Sequence, residues 1–260
     1  QGVEIRRIPV ENTAQAEQAL INAMDENTRL LSCSSVQYAR GLRLDLAVIG
    51  SACKQNNTLF CVDAIQSLGV IEFDVQDCCA DFVVADGHKW MCAPEGTALF
   101  YCRSEVQPML RLHQYGWHML KDAFHFSRRY DQLEIADGAR RFECGSSNMM
   151  GITALNASLG LLLDIGINNI QRDVLKNSSY LFEQLRRQAD IKILTPMADG
   201  TYAGIVTFYK QDVDNLKLYH YLQHSNVICA CRGDGIRFSP HFYTRTDAID
   251  RALKLVIDFC

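Results

Sequence analysis

Phe60-Cys61-Val62-Asp63-Ala64-Ile65-Gln66-Ser67-Leu68-Gly69 and, a short way on, Ala80-Asp81-Phe82-Val83-Val84-Ala85-Asp86-Gly87-His88-Lys89-Trp90 decide how this chain is read. Each opens with a short apolar run, rich in β-branched or aromatic residues and closed by an aspartate and small residues, which is the signature of a buried strand. Asp63 ends the first strand, and Lys89 lies just past the end of the second. In an open parallel sheet the carboxyl ends of neighbouring strands open onto one crevice, where ligands bind. The two runs therefore predict a carboxylate and an amine facing each other across a cleft.

Working outward, Val3 to Ile8, Leu30 to Ser34 and Ala98 to Tyr101 also read as strands, while Ala14 to Met24 and Leu44 to Gln55 carry helical spacing. Strands alternating with helices imply an α/β fold, with a mostly parallel sheet covered by helices. After about Tyr130 the character changes, through the charged stretch Asp137 to Glu143 into a Cys144-Gly145-Ser146-Ser147-Asn148 turn and a long helix, for which Ser147 or Asn148 is the N-cap. From Ile170 the expected order is helix (to about Gln188), strand (Ile191 to Leu194), strand (Gly204 to Tyr209), helix (Val213 to His224), strand (Val227 to Ala230), strand (Ile236 to Ser239) and helix (Asp247 to Phe259). The expected division is a large domain over 1–166 and a smaller C-terminal α+β domain over 167–260.

Composition narrows the function. With 260 residues, 48% hydrophobic and 22% charged, the chain is long enough for a sizeable core. A net charge of -4 and a pI near 6.0, without a Lys/Arg cluster, give no electrostatic reason to bind nucleic acid or an anionic membrane. The longest apolar stretch, Ala154 to Ile167, is interrupted by Asn156, Ser158 and Asp164, short of the roughly 20 residues a membrane span needs. Gly2 to Pro9 alternates apolar and charged residues and has no signal-peptide apolar region, so a cytoplasmic location is expected. The 11 cysteines include no Cys-x-x-Cys and read mostly as reduced, buried thiols. His220 and His224 have metal-compatible helical spacing but lack the Glu of a His-Glu-x-x-His motif, so they read as a solvated helix face and no metal site is expected.

A strand-end aspartate or a post-strand lysine alone is ordinary. Together they supply what pyridoxal chemistry requires: a lysine amine for the aldehyde, and a carboxylate that keeps the pyridine nitrogen protonated. An ordinary lysine is almost wholly protonated at neutral pH, so a site that uses one as a nucleophile must disfavour the ammonium. The Asp63-x-x-Gln66 run, the His88-Lys89 pair and the Pro94-x-Gly96 loop together resemble the class V aminotransferase and cysteine desulfurase family of pyridoxal-phosphate enzymes. The resemblance runs from Val3 to Asp250. It implies the large cofactor domain of the aspartate aminotransferase type and pyridoxal 5'-phosphate as cofactor, with Lys89 on the aldehyde carbon, Asp63 on the pyridine nitrogen, Gln66 on the phenolate oxygen and His88 on the phosphate. Many desulfurases of the family place a phosphate-binding serine where this chain has Asp86, and a carboxylate repels phosphate; either Asp86 turns away as a local cap or the phosphate is held from other directions.

Ser35 to Gly41 is similar to the family's strand-end loop beside the cofactor, and implies a contact from Gln37 or Tyr38. Arg141 to Asn148 resembles the Glu-x-Gly-Thr-x-Asn segment, which implies that Ser146 reaches the phosphate of a second subunit, and hence a homodimer with shared active sites. A turn leading into a helix N-terminus is a favourable anion site; the same residues could serve as a cap alone. Gly235 to Tyr243 resembles the strand that carries a carboxylate-gripping arginine, here Arg237, for an amino-acid substrate. Cys229 and Cys231, close before Arg237 and on or beside a predicted strand, leave little loop for a thiol to swing, which favours a transaminase or lyase over a cysteine desulfurase or selenocysteine lyase. A non-catalytic relative is the remaining alternative. The resemblance begins well inside the family's large domain, so on the order of a hundred upstream residues are expected to be missing, with bare apolar surface and weak cofactor retention as the consequence.

Overall fold

The computed structural model describes residues 2–10, 15–125 and 134–260. Strands β1 (Leu30–Ser34), β2 (Leu59–Asp63) and β3 (Phe82–Asp86) are parallel, and β4 (Ala98–Cys102) closes the sheet antiparallel to β3. The pleat sends Leu31, Phe60, Val62, Val83 and Ala85 to one face, where they pack with Ile49 and Cys53 of helix α2 (Leu46–Gln55). Asp45 begins that helix, its carboxylate accepting from the N–H groups of Ala47 and Val48. Gly50 permits its close approach, since a Cβ there would lie 1.8 Å from the Cys78 carbonyl oxygen. The opposite face leaves Leu30, Val84 and Phe100 exposed.

The strand expected over Val3 to Ile8 is not formed. Val3 and Ile5 are exposed, and Arg6 instead donates to the Ala23 carbonyl and pairs with Asp25 at 2.6 Å, beside the end of helix α1 (Ala16–Asn22). Alternation specifies a strand only where an edge is free to pair with it. Ala14, the expected start of α1, and Tyr130 lie outside the described residues.

Helices α3 (Met149–Ile165) and α4 (Ile167–Arg186) meet at an 82° bend, where Gly166 takes φ +87. Asn148, of the two candidates, is the N-cap of α3. A second sheet has the order β5-β6-β8-β7, antiparallel throughout: β5 (Ile191–Ile193), β6 (Val206–Lys210), β7 (Ala230–Arg232) and β8 (Gly235–Phe238). Strand β7 begins three residues later than Val227, because Gly233 and Asp234 both take positive φ and form a two-residue hairpin turn that pairs Arg232 with Gly235. Helices α4, α5 (Asn215–His224) and α6 (Thr246–Asp258) pack on this sheet around Phe208, Leu218, Leu222, Ile236 and Val256. A third cluster joins the parts of the molecule: Trp90 packs with Val36, Ile170, Val174, Ala203 and Ile205.

Among the described residues no single helix is long and apolar enough to cross a membrane. All 11 cysteines are free, but only Cys53, Cys78 and Cys102 are fully buried, fewer than the apolar setting of the others suggests.

Candidate active site

Parallel pairing sets Ser34 beside Asp63 and Asp63 beside Val84, so the segments leaving β1, β2 and β3 emerge on one rim. The Ser35 N–H donates to the Asp63 carbonyl and the Ala64 N–H to that of Val84, locking the three exits together. The Asp63 carboxylate is half-buried, and its Oδ1 accepts from the Ile65 N–H at 3.0 Å. Lys89 is exposed in the turn after β3, held where the Cys92 N–H donates to the Lys89 carbonyl at 3.1 Å.

Gln66 is buried, with Oε1 2.9 Å from the indole nitrogen of Trp90. An indole N–H can only donate, so the chemistry fixes which end of the amide faces it and leaves the Gln66 NH2 as a donor for another group. Trp90 is itself wedged in place, since a Cβ on Gly204 would fall 2.4 Å from its ring and one on Gly69 2.6 Å from its carbonyl oxygen.

His88 is partly exposed, and its Nδ1 lies 3.9 Å from the Asp86 carboxylate. Among the described residues the Asp86 carboxylate accepts no hydrogen bond from the turn, and it lies beside the imidazole. Ser146 is exposed in the turn before α3. That turn is tethered to the Pro94 to Gly96 loop, because the Asn148 side-chain amide donates to the Gly96 carbonyl at 3.2 Å and its Oδ1 accepts from the Gly151 N–H.

Arg237 reaches the same rim from the second sheet. One guanidinium nitrogen donates to the Tyr38 carbonyl at 2.7 Å, while its Nε is buried without a partner among the described residues. Burial, and then the nearby Arg232, push the guanidinium below its ordinary value. An arginine so placed presents uncompensated positive charge to an anion. Tyr38 enters this arrangement through its backbone, with its side chain half exposed. Gln37 spends its side-chain oxygen on the N–H groups of Ala39 and Arg40. The loop is pinned further by Thr207, whose hydroxyl donates to the Ala39 carbonyl at 2.6 Å.

Sequence reasoning passed over Trp90 and His241, both buried at the junction of these parts. Their motif neighbours Lys89 and Arg237 were the available signal. His224, by contrast, donates from Nδ1 to the His220 carbonyl on an exposed helix face.

The aminotransferase class-V family model matches residues 1–247. The chain belongs to the class-V aminotransferase family. Its relatives include a probable cysteine desulfurase of Methanothermobacter thermautotrophicus, 32% identical over 95% of this chain and 65% of the relative. The uncharacterized aminotransferase YcbU of Bacillus subtilis is 28% identical over 88% of this chain and 59% of its own length. Among solved structures, the cystine C-S lyase C-DES in complex with its product cysteine persulfide has a TM-score of 0.88 at 24% identity, over 98% of this chain and 68% of that one. The apo cysteine desulfurase of Thermococcus onnurineus gives 0.82 at 22%, over 94% and 62%. The class-V chain thus spans roughly two thirds or less of these proteins.

Enzymes of this family carry pyridoxal phosphate, and the residues on the rim fit it. The Gln66 amide is oriented with N–H bonds to offer an anionic oxygen. Asp63 uses one carboxylate oxygen locally, and among the described residues the other makes no hydrogen bond.

Proposed function

We propose that this protein is a pyridoxal-phosphate-dependent enzyme acting on an amino acid, in which Lys89 binds the cofactor aldehyde. The observation that carries the reading is the Trp90 to Gln66 hydrogen bond, because it turns a generic polar residue into an oriented donor beside a strand-end carboxylate and an amine. When bound, the cofactor supplies an electron sink for negative charge that develops on the substrate α-carbon.

The residues divide that work. Asp63 holds a proton on the pyridine nitrogen, Gln66 donates to the phenolate oxygen, and His88 donates to the phosphate. Lys89 would hold the cofactor aldehyde, and its amine would serve as the base that moves a proton at the substrate α-carbon. Arg237 grips the substrate carboxylate through charge-assisted hydrogen bonds. Tyr38 supports Arg237 through its carbonyl and lines the approach. Ser146, on the turn before α3, is assigned to the phosphate of a second copy in a homodimer, which light scattering of the active protein tests; a fully active monomer contradicts it.

The reaction we favour is transamination or lyase cleavage. Cys229 immediately precedes β7 and Cys231 lies within it, and burial raises the Cys229 thiol above its ordinary value. Both features disfavour a swinging nucleophile. A desulfurase is the second reading, favoured by the names of relatives such as the probable desulfurase at 32% identity.

Borohydride reduction of the cofactor-loaded protein followed by peptide mapping tests the assignment. The label is expected on Lys89, and a label on another lysine overturns it. Sulfide or persulfide release from cysteine distinguishes the second reading from the first.

A further inference from the structure

His241 lies on the loop after β8 and is 7% exposed. Its Nδ1 accepts from the Phe242 N–H at 2.9 Å, so the ring proton sits on Nε2. That Nε2–H faces the carbonyl oxygen of Trp90 at 3.1 Å, with the Cys92 sulfur 3.6 Å from the same nitrogen. A carbonyl is the stronger acceptor, so the bond belongs to Trp90.

Both ends of this contact are anchored. The imidazole stacks on the Tyr243 ring with centroids 4.7 Å apart, and its own backbone is held by Asn177, which donates to the His241 carbonyl at 3.0 Å. On the other side, the Trp90 carbonyl belongs to the residue directly after Lys89, in the turn that presents the amine. Arg237 is four residues before His241, on β8.

We propose that His241 is a positioning residue: its Nε2–H fixes the turn carrying Lys89 against the loop that follows Arg237, and so sets where the amine stands relative to the carboxylate grip. This rests on the reading that Lys89 and Arg237 are the cofactor and substrate residues. The imidazole does no chemistry itself. It removes a freedom that would otherwise let two separately built sheets drift, and proton transfer at a substrate held by one and attacked from the other is sensitive to such drift.

The test compares His241→Phe, which keeps bulk and stacking but removes the donor, with His241→Gln, whose terminal N–H occupies nearly the position of Nε2. In the cofactor-loaded protein, His241→Phe is expected to lower kcat by about tenfold to a hundredfold with cofactor affinity and substrate KM within about threefold, and His241→Gln to restore kcat to within about threefold. Cys92→Ala is expected to behave as the unmodified protein. Unchanged kcat in His241→Phe overturns the proposal, as does an equal loss in Cys92→Ala, which makes the thiol the operative partner. Should His241→Phe fail to fold, nitrogen-15 NMR of the unmodified protein decides: protonated Nε2 with bare Nδ1 supports the clamp, and the opposite tautomer overturns it. Borohydride trapping on Lys89 separates the two levels. No trapping in the unmodified protein defeats the functional reading, whereas normal trapping with an indifferent His241→Phe defeats only the positioning role.

Discussion

The indole nitrogen of Trp90 and the side-chain oxygen of Gln66 are 2.9 Å apart in the core, and this one bond decides which way the Gln66 amide can serve the cleft. Trp90→Phe removes the donor and leaves a buried oxygen unsatisfied, at a cost of about 1 to 3 kcal/mol. The freed amide can then rotate and present oxygen where nitrogen is needed. Cofactor titration followed by absorbance should show weaker binding by about tenfold, and an unaltered titration would show that the amide's orientation does not matter.

Among the described residues Arg237 keeps an unpartnered buried Nε and one hydrogen bond, to the Tyr38 carbonyl. Losing its paired contacts to a substrate carboxylate in Arg237→Ala should cost about 2 to 4 kcal/mol of substrate binding. Lysine cannot reproduce the fork, so Arg237→Lys should recover only part of this. Amino-acid titration of the cofactor-loaded protein reads the effect, and cofactor affinity should stay near that of the unmodified protein.

Lys210 is 5% exposed, and its ammonium donates to the carbonyls of Val256, Ile257 and Phe259 at 2.8 to 2.9 Å, with Asp190 at 3.4 Å. It closes the C-terminal end of α6, where unpaired carbonyls concentrate negative charge. Lys210→Met should therefore destabilise the fold by about 2 to 4 kcal/mol, seen in urea unfolding. Since Lys210 touches none of the proposed site residues, KM below the unfolding transition should not move.

Burial pushes the Cys33 thiol up to about 12 and Cys53 to about 11, from 9.0. Both are easier to ionise in the unfolded chain. Their contribution to stability is fully present below pH 9 and declines as pH rises through 11 to 12. Unfolding midpoints measured from pH 8 to 10.5 should fall at the alkaline end, and less steeply in Cys33→Ala. At pH 8 the exposed Cys260 should alkylate long before Cys33.

The strand end at Asp63, and that of β3 to within one residue of the expected Ala85, were legible because a parallel sheet is built from local apolar runs whose limits are written in the chain. The helices were legible for the same reason, although their pattern left Ser147 and Asn148 both open as the cap of α3 and the structure uses Asn148. Val3 to Ile8 misled because alternation says what a segment could pair with, whereas pairing needs a neighbour. The displacement of β7 followed from Gly233 and Asp234, whose shared positive φ fixes a register that hydrophobicity alone does not set. Lys89, Asp63 and Gln66, the residues proposed for the site, stand out by motif; the bond that orients Gln66 does not. The bond from His241 to Trp90 spans 151 residues, and no local pattern announces a contact between a loop and a turn so far apart.

The missing side chain at Gly204 gives the molecule an unexpected point of genetic vulnerability. A methyl group there would press into the Trp90 ring at 2.4 Å, and the displaced indole would pull its N–H away from Gln66. Gly204→Ala should consequently look like a cofactor-binding defect although it adds one carbon outside the cleft. In a selection for restored activity, second-site revertants should gather at Val174, whose side chain shares that space and makes no hydrogen bond to Gln66, in preference to residues that meet the ligand.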